Sequence, residues 1–284
     1  MNDCIIIGGG PAGISAAINL KLNNKEFLWL KGKNSVKKVS SAEVIKNYPG
    51  LPDITGEQLA WTLTNHADMM DIQGTEEIAT AIYDLGGSFA VAAGENTYEG
   101  RTVILCLGVT TAKPIDGEEK FLGKGVSYCA TCDGFLYKGK NIVVMLTDKA
   151  FEAEAEFLCS LAKKAYVIPL YKNYEIDGEN AEIILKKPDK IEGEKRVERV
   201  IVGGQSLDAD GIFILRSSVA PSVLLRGLKT ENGHIEVDRG QKTNIDGVFA
   251  AGDCTGRPYQ YAKSVGEGNV AAHSVIEYLS KINQ

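Results

Sequence analysis

Two cysteines and an acidic residue lie together in the segment CATCD, which runs from Cys129 through Cys132 to Asp133. The two-residue spacing lets both sulfurs meet across a single turn of the chain. Cysteines at this spacing can supply half of a zinc site, contribute to an iron–sulfur cluster, or act together as a redox dithiol. The rest of the sequence decides which of these chemistries is available.

A zinc site is disfavoured, because the sequence contains neither a second C-x-x-C pair nor two closely spaced histidines. An iron–sulfur cluster needs four thiolates, and three other cysteines lie in segments that we expect to form buried strands or helices. We therefore predict no metal site and interpret the pair as a redox dithiol. The residues concerned are the scattered His66, His234 and His273, the expected core cysteines Cys4, Cys106 and Cys159, and the unassigned Cys254.

A glycine-rich turn follows the first apolar run, in the segment CIIIGGGPAGISAAINLKLNN. The pattern Gly8-x-Gly10-x-x-Gly13 separates a strand-like run from small and apolar residues at helical spacing, which is typical of a dinucleotide-binding unit. In such a unit the first glycine makes the turn, the second lets the backbone approach a pyrophosphate, and the third lets helix and strand pack closely. An ordinary glycine loop is the alternative. The next strand, EFLWLKGK, brings Lys31 to the place where an acid for the adenosine ribose is expected, so the adenosine contacts stay open.

Two later segments add further loops that could contact a bound nucleotide. The run RTVILCLGV predicts a buried strand that ends at Gly108. The run TNIDGVFAAGDCTG predicts a strand from Val248 that brings Gly252 and Asp253 to a loop, and a helix should follow near QYAKSVGEGNVAAHSVIEYL.

Four motifs, GGGPAG, KNYPG, CATCDG and GVFAAGDC followed by YQYA, stand in an order and spacing that resemble the low-molecular-weight thioredoxin reductases. The resemblance covers nearly the whole chain. It implies an α/β fold with two three-layer, Rossmann-type dinucleotide-binding domains. One would be a discontinuous FAD-binding domain of residues 1–112 and 241–284, and the other, residues 113–240, would carry the redox dithiol. It also implies a homodimer in the cytoplasm.

The resemblance further assigns a role to each matching residue. Cys132 would face the flavin, Cys129 would attack the thioredoxin disulfide, and Asp133 would act as general acid and base. FAD would be the cofactor, with the pyrophosphate at the glycine turn, Asn47 beside the flavin, Asp253 at the ribityl chain and Tyr261 and Ala262 near the pyrimidine end of the ring. The complete set implied for FAD is Gly8, Gly10, Pro11, Ala12, Gly13, Asn47, Gly108, Gly252, Asp253, Tyr261 and Ala262.

The inserted domain departs from the resembled family where NADPH would bind. The family's Gly-x-Gly-x-x-Ala turn falls on residues 146–151, LTDKAF. Leu146 and Asp148 would block the approach of a pyrophosphate to the backbone, the Asp148 charge would repel it, and Phe151 would fill the contact between helix and strand. The arginine pair for the 2′-phosphate falls on Leu170 and Tyr171, which cannot bind a dianion.

The pattern is closest to the ferredoxin-dependent flavin thioredoxin reductases, so we expect electrons to pass from ferredoxin through FAD and the dithiol to thioredoxin. An NADPH-dependent thioredoxin reductase with an atypical nucleotide site is one alternative. A flavin-binding sensor or interaction protein without turnover is the other.

The composition of the chain limits the kinds of molecule that the protein could bind. A net charge of −6 disfavours general nucleic-acid binding, and no apolar stretch approaches the roughly 18 to 20 residues that a membrane span requires. Residues 1–50 nevertheless carry a net charge of +4, much of it in KGKNSVKK, residues 31–38. This lysine segment is either a solvated surface or a docking patch for an acidic protein such as ferredoxin.

Overall fold

The chain divides into two compact units in the computed structural model, which describes residues 1–32, 35–109, 114–216 and 220–282. The first unit comprises Met1–Thr111 and Ala220–Gln284, and the second comprises Ala112–Val219. The inserted segment therefore ends earlier than the predicted residue 240. Residues 220–240 belong to the first unit because Leu225 forms a β-bridge with Ile82, which ties this stretch to the first sheet.

The helices and strands of the described residues follow in chain order. The leading part of the first unit contains β1 (Asn2–Ile7), α1 (Pro11–Leu22), β2 (Phe27–Leu30), α2 (Lys37–Ser40), α3 (Gly56–Met69), β3 (Ala79–Asp84), β4 (Phe89–Ala93) and β5 (Asn96–Leu105). The second unit contains α4 (Glu118–Phe121), β6 (Val126–Ser127), α5 (Ala130–Asp133), β7 (Asn141–Leu146), α6 (Glu152–Leu161), β8 (Lys164–Pro169), β9 (Ala181–Ile183), β10 (Pro188–Glu192), β11 (Arg199–Val202), β12 (Gln205–Asp208) and β13 (Gly211–Leu215). The first unit resumes with α7 (Pro221–Leu224), β14 (Thr230–Glu231), β15 (His234–Ile235), β16 (Val248–Ala250) and α8 (Tyr261–Ile282). Three 3-10 helices cover Gly134–Tyr137, Lys149–Phe151 and Asp253–Thr255.

The first unit centres on a six-stranded sheet in which β2, β1, β5 and β16 are parallel neighbours. The first half of β5 pairs instead with the antiparallel hairpin of β3 and β4. Strand β5 ends at Leu105, before the predicted Gly108. Helices α1 and α8 pack against each other, and their small and aliphatic residues form one buried core with β1 and β5. This arrangement confirms the predicted α/β class with a Rossmann-type unit.

The second unit centres on a five-stranded parallel sheet in the order β6, β13, β7, β8, β9, beside a separate three-stranded antiparallel sheet of β10, β11 and β12. Strand β13 is buried along its whole length and β7 is buried except at Asn141, which explains their nearly uninterrupted apolar sequences GIFIL and NIVVML. Two clusters of buried side chains lie on the faces of these strands. Among the residues that the structure describes, no helix combines the length and apolar character needed to cross a bilayer.

The crossover after β7 differs from the glycine turn after β1. The 3-10 helix Lys149–Phe151 stands between β7 and α6, and the Asp148 carboxylate accepts a hydrogen bond from the Ala150 amide at 3.0 Å. The helix then begins at Glu152, whose buried carboxylate accepts bonds from the Tyr171 hydroxyl at 2.6 Å and the Glu175 amide at 2.8 Å. We call this set the Glu152 strap.

The Glu152 strap joins the two segments in which the sequence lacks the expected nucleotide-binding residues. Glu152 follows the turn at 146–151, and Tyr171 occupies one of the two expected arginine positions. The bond from the Tyr171 hydroxyl, with that from the Glu175 amide, holds the pKa of the Glu152 carboxyl below its usual value of 4.5. An internal carboxylate therefore lies at the helix N-terminus, where a phosphate would otherwise be favoured.

We expect Tyr171→Phe to lower the midpoint temperature of thermal unfolding at neutral pH. The variant's midpoint should also change less with pH than that of the wild type. The Glu152 carboxyl has a depressed pKa in the folded state, so its contribution to stability is complete above the ordinary value of 4.5 and is lost as the pH falls through the lower folded value. The difference between wild type and variant should therefore shrink as the pH falls from 7 to 3, measured by thermal unfolding. Tyr174→Phe serves as the control. A Tyr171→Phe difference that is constant over this pH range contradicts the assignment.

Candidate functional site

The parallel strands of the first sheet bring most of the predicted cofactor residues to one edge. The carboxyl ends of β1, β5 and β16 are neighbours, and they lead into Gly8, Gly108 and Gly252, respectively. Crevices at the carboxyl edge of parallel sheets are the usual ligand sites of such folds. Segments that are 100 to 244 residues apart in sequence thus meet at a single edge.

The glycine turn contains positions where a side chain cannot be accommodated. Gly8 has a φ of +118°, and an added Cβ would lie 2.1 Å from the carbonyl oxygen of Cys106. A Cβ on Gly13 would lie 1.9 Å from the Gly8 carbonyl oxygen. An added Cβ at Gly10, by contrast, would meet no atom of the described residues within 4 Å. The turn is therefore closely packed on its protein side and open at Gly10, as pyrophosphate binding requires.

Helix α1 directs the amide groups of its first turn at this open space. It begins with Pro11, whose fixed φ suits the first helical position, and in the described structure no side chain caps its N-terminus. The partial positive charge at a helix N-terminus favours an anion. The pyrophosphate of FAD thus fits the turn formed by Gly8, Gly10, Pro11, Ala12 and Gly13. Lys31, at the position where an acid is expected, follows β2, and its ammonium lies 5.5 Å from the centre of the Trp29 ring.

The loop after β16 carries the predicted ribityl residue. Gly252 has a φ of +90°, and Asp253 begins the 3-10 helix that follows it. The Asp253 carboxylate accepts a hydrogen bond from the Ser264 hydroxyl at 3.2 Å. A Cβ at Gly252 would lie 3.0 Å from the Ala12 side chain, so this loop lies directly against the glycine turn.

Asn47 and Tyr261 are brought together through residues that sequence analysis did not identify. The Asn47 amide donates to the Gln260 side chain at 2.6 Å, and Tyr261, the first residue of α8, donates its hydroxyl to the Lys38 carbonyl at 3.3 Å. The Lys38 ammonium in turn donates to the Val109 carbonyl at 3.1 Å. Ala262 lies half-buried in the first turn of α8.

Lys38 therefore connects the lysine segment with the neighbour of Gly108 and with α8. Gln260 could have been found from its place inside the YQYA motif. Lys38 could not, because only the tertiary structure shows its contacts.

The cysteine pair follows the edge strand β6 of the second unit. Cys129 and Cys132 form a disulfide with 5.4 Å between their Cα atoms. The Cys132 amide donates to the Cys129 sulfur at 3.2 Å, and the Ser127 hydroxyl accepts from the Cys129 amide at 3.1 Å. Cys132 is exposed, whereas Cys129 and Asp133 are half-buried. The disulfide is thus accessible to another molecule at the carboxyl edge of this sheet.

A buried charged cluster lies next to this segment. The Arg216 guanidinium contacts the Glu118 carboxylate and donates to the Tyr128 hydroxyl at 3.1 Å, and the Tyr128 hydroxyl donates to Glu118. The guanidinium also lies 4.8 Å from the centre of the Tyr128 ring. Burial lowers the pKa of Arg216 to about 10. Because Tyr128 immediately precedes Cys129, the cluster anchors the start of the redox segment.

Two large apolar side chains are exposed immediately after the redox segment. Phe135 and Leu136 lie in the 3-10 helix Gly134–Tyr137, with 65% and 67% of their surface accessible. Exposed apolar groups that lie together are typical of protein contact sites. Sequence analysis did not select them, because the pattern FLY also suits a buried turn.

The remaining four cysteines are buried. The core positions predicted for Cys4, Cys106 and Cys159 are confirmed, and Cys254 also lies in the core, where its thiol donates to the Ala251 carbonyl at 3.3 Å. Burial raises the pKa of Cys4 to about 12 and that of Cys159 and Cys254 to about 11. These thiols are therefore protonated and unreactive at neutral pH.

Comparison with known proteins agrees with this geometry. The model of the pyridine nucleotide-disulphide oxidoreductase family matches residues 2–146 and 179–268. The chain is 41% identical to a ferredoxin-flavin thioredoxin reductase structure from Clostridium acetobutylicum, with a TM-score of 0.90 and coverage of 99% of this chain and 98% of that one. A second such structure from this organism is 44% identical, with a TM-score of 0.84 and the same coverage.

A curated relative gives a further comparison. The thioredoxin reductase of Treponema pallidum is 30% identical over 300 residues, with coverage of 99% of this chain and 98% of the relative. The glycine turn fits FAD, and the accessible disulfide lies in the second unit, as this similarity implies. The chain therefore belongs to the pyridine nucleotide-disulphide oxidoreductase family and, within it, to the thioredoxin reductases, which use FAD and a redox-active disulfide.

Proposed function

We propose that this thioredoxin reductase takes its electrons from reduced ferredoxin and delivers them through FAD and the Cys129–Cys132 disulfide to thioredoxin. The observation that carries the proposal is the Glu152 strap. It places a carboxylate at the N-terminus of α6 and bonds it to Tyr171, between the two places where a nicotinamide dinucleotide would need its phosphate contacts. The similarity to ferredoxin-flavin thioredoxin reductases supports the same conclusion.

Several charges and side chains in the second unit oppose nucleotide binding. Asp148, Glu152 and Glu154 place three carboxylates before and within the first turn of α6, where a pyrophosphate would add further negative charge. Lys149 pairs with Glu175 at 2.6 Å, so this nearby cation is already bound to a carboxylate. Leu146 is completely buried in the strand and leaves no glycine for close backbone approach.

The electron transfer is energetically favourable. Bound FAD can accept electrons singly and pass them on as a pair, which makes a one-electron protein donor compatible with a disulfide acceptor. A plant-type ferredoxin at about −400 mV lies about 130 mV below a thioredoxin at about −270 mV, equivalent to about 6 kcal/mol for two electrons.

The redox segment provides the groups needed for thiol–disulfide exchange. In the reduced protein, the Cys129 thiolate attacks a thioredoxin sulfur, and Cys132 then displaces thioredoxin and reforms the Cys129–Cys132 disulfide. The half-buried Asp133 follows Cys132 directly, and we assign it the transfer of a proton to the departing thiolate. Phe135 and Leu136, which follow the cysteine pair in sequence, offer an exposed apolar contact surface for thioredoxin. The homodimer and the cytoplasmic location remain predictions.

The lysine segment is our candidate for ferredoxin docking. Lys37 and Lys38 are exposed on α2, and Lys38 contacts both Tyr261 and Val109 at the edge of the predicted flavin site. Lys33 of this segment lies outside the described residues. Lysines at this edge would attract an acidic carrier and mainly raise its association rate.

The electron donor can be tested by stopped-flow absorbance of the bound flavin. Reduced ferredoxin should bleach the flavin absorbance within seconds, whereas NADPH should leave it oxidised over the same interval, because the second unit cannot hold the dinucleotide. Dithionite reduction provides the positive control for a functional flavin. Rapid bleaching by NADPH, followed by thioredoxin reduction, would refute the proposed donor.

Substitution of either redox cysteine should stop electron delivery to thioredoxin. Cys132→Ser and Cys129→Ser should retain FAD but lower steady-state thioredoxin reduction by roughly 1,000-fold or more, because neither can complete the exchange. The matched control is Cys159→Ala in the same unit, where the thiol is buried and has a raised pKa. Near wild-type turnover in either serine variant would exclude the disulfide from the reaction.

The docking prediction concerns Lys33, Lys37 and Lys38. Replacing all three by Gln should lower ferredoxin-driven turnover by about tenfold at low salt and much less at high salt, since ions screen exposed charges over about 8 to 10 Å. Reduction of the flavin by dithionite should stay normal.

The matched control removes the same charge at the other end of the first unit. Its residues are Lys21 and Lys25, at and just beyond the end of α1, and Lys281, at the end of α8. This control triple variant should remain within about twofold of wild type at both salt concentrations. Equal losses in the two triple variants would show that overall charge, and not the lysine segment, determines the rate.

A further inference from the structure

Lys263, the third residue of α8, directly follows the predicted flavin contacts Tyr261 and Ala262. Its side chain is a largely buried cation. Its ammonium donates to the carbonyl oxygens of Gly252 at 2.9 Å and Gly256 at 2.8 Å, and it lies 3.2 Å from the Thr255 hydroxyl. Only 18% of its side-chain surface is accessible. A single ammonium thus holds both ends of the loop that contains Asp253.

Glu267, one turn further along α8, completes this arrangement. Its Oε2 atom lies 3.1 Å from the Lys263 ammonium and accepts bonds from the Gly252 amide at 2.8 Å and the Thr255 hydroxyl at 2.9 Å. The Gly252 amide and carbonyl groups are therefore both bonded to this ion pair. We call Lys263 and Glu267 the loop clamp.

The loop itself has little intrinsic preference for one conformation. It begins at Gly252, with a φ of +90°, and ends at Gly256, with a φ of +130°. Residues other than glycine rarely adopt these values. Glycines at both ends increase the conformational entropy that must be lost when the loop becomes ordered. The bonds from the loop clamp offset this loss through charged donors and acceptors, which form stronger hydrogen bonds than neutral groups.

The loop clamp also fixes the position of Asp253 relative to the glycine turn. Helix α8 packs directly on α1, since a Cβ added at Gly268 would lie 2.2 Å from the Ala12 carbonyl oxygen. Ser264, which lies between the clamp residues, donates to the Asp253 carboxylate. The clamp residues and the Ser264 contact thus belong to one rigid turn of α8, which is anchored on the helix that begins the pyrophosphate site.

We propose that Lys263 and Glu267 are positioning residues for FAD, which hold Asp253 at a fixed distance from the Gly8–Gly13 turn so that both segments can bind one cofactor molecule together. Neither residue needs to touch FAD. The inference rests on the predicted contact between Asp253 and the ribityl chain, and it does not depend on which protein donates the electrons.

The test measures the dissociation constant of FAD from the fluorescence of flavin released when the holoenzyme is diluted. Lys263→Met removes the ammonium and keeps an unbranched side chain, and we expect it to raise the dissociation constant about tenfold or more. Glu267→Gln, which keeps an acceptor for the Gly252 amide but removes the charge, provides a second variant and should act in the same direction.

The same helix offers a matched control pair. Glu277 and Lys281 form an ion pair at the same four-residue spacing, but their side chains are 59% and 63% exposed and lie in the last turns of α8. Lys281→Met should change the dissociation constant by less than about twofold, because exposed pairs contribute little. An equal effect of Lys263→Met and Lys281→Met would overturn the inference.

A double-mutant cycle with Asp253→Asn separates positioning from general stability. If the clamp acts through Asp253, Lys263→Met should have little further effect on FAD release in the Asp253→Asn background. An undiminished effect in that background would assign Lys263 a merely structural role and overturn the inference. Asp253→Asn with an unchanged dissociation constant would refute the ribityl contact and the inference together, while the ferredoxin and NADPH assays would still test the proposed donor independently.

Discussion

The first unit depends on close backbone contact around helix α1, at three positions where no side chain fits. A Cβ at Gly8 would meet the Cys106 carbonyl oxygen, one at Gly13 the Gly8 carbonyl oxygen, and one at Gly268 the Ala12 carbonyl oxygen. All three distances, 1.9 to 2.2 Å, are far shorter than van der Waals contact. These contacts bring β5, the turn and α8 against the same end of α1. The amide groups of its first turn therefore face the open carboxyl edge of the sheet, where we propose that the anionic part of the cofactor binds.

The second unit also has a parallel sheet followed by a helix, but it lacks the close backbone packing of a glycine turn. Its strand β7 ends in Leu146 and the turn that follows contains Asp148, where the first unit has glycines, and a 3-10 helix separates the strand from α6. The N-terminus of α6 still favours negative charge, but the chain supplies that charge itself through Glu152. The unit thus places an internal carboxylate at the N-terminus of α6, the position at which dinucleotide-binding units place a phosphate.

The redox segment gains its fixed position from charge as well as from packing. Arg216 follows β13, Tyr128 follows β6, and Glu118 begins α4, so three separate parts of the second unit meet beside Cys129. Removing one member of such a buried pair leaves an uncompensated charge, which is costly in a protein interior. The cluster therefore couples the start of the redox segment to the sheet that supports it.

Sequence patterns predicted the α/β class, the helix that follows the glycine turn, the strand from Val248 and the buried positions of Cys4, Cys106 and Cys159, and the structure confirms each of these. They did so because strand periodicity, a Gly-x-Gly-x-x-Gly turn and apolar burial act over short stretches of chain. The end of β5 and the assignment of residues 220–240 differed from prediction. Both depend on contacts with distant strands, such as the bridge between Leu225 and Ile82, which no local pattern encodes.

The sequence by itself determined which residue types were available for chemistry: a cysteine pair with an adjacent acid, a glycine turn that suits a dinucleotide, and a second turn, residues 146–151, without glycine. The tertiary structure alone decided which of the other residues support them. Glu152 meets Tyr171, Lys263 binds the loop of Asp253, and Lys38 reaches Val109, over separations of 7 to 71 residues. A charged side chain selects its partner through the position of the backbone around it, and that position exists only once the sheets have formed and excluded water from the contact.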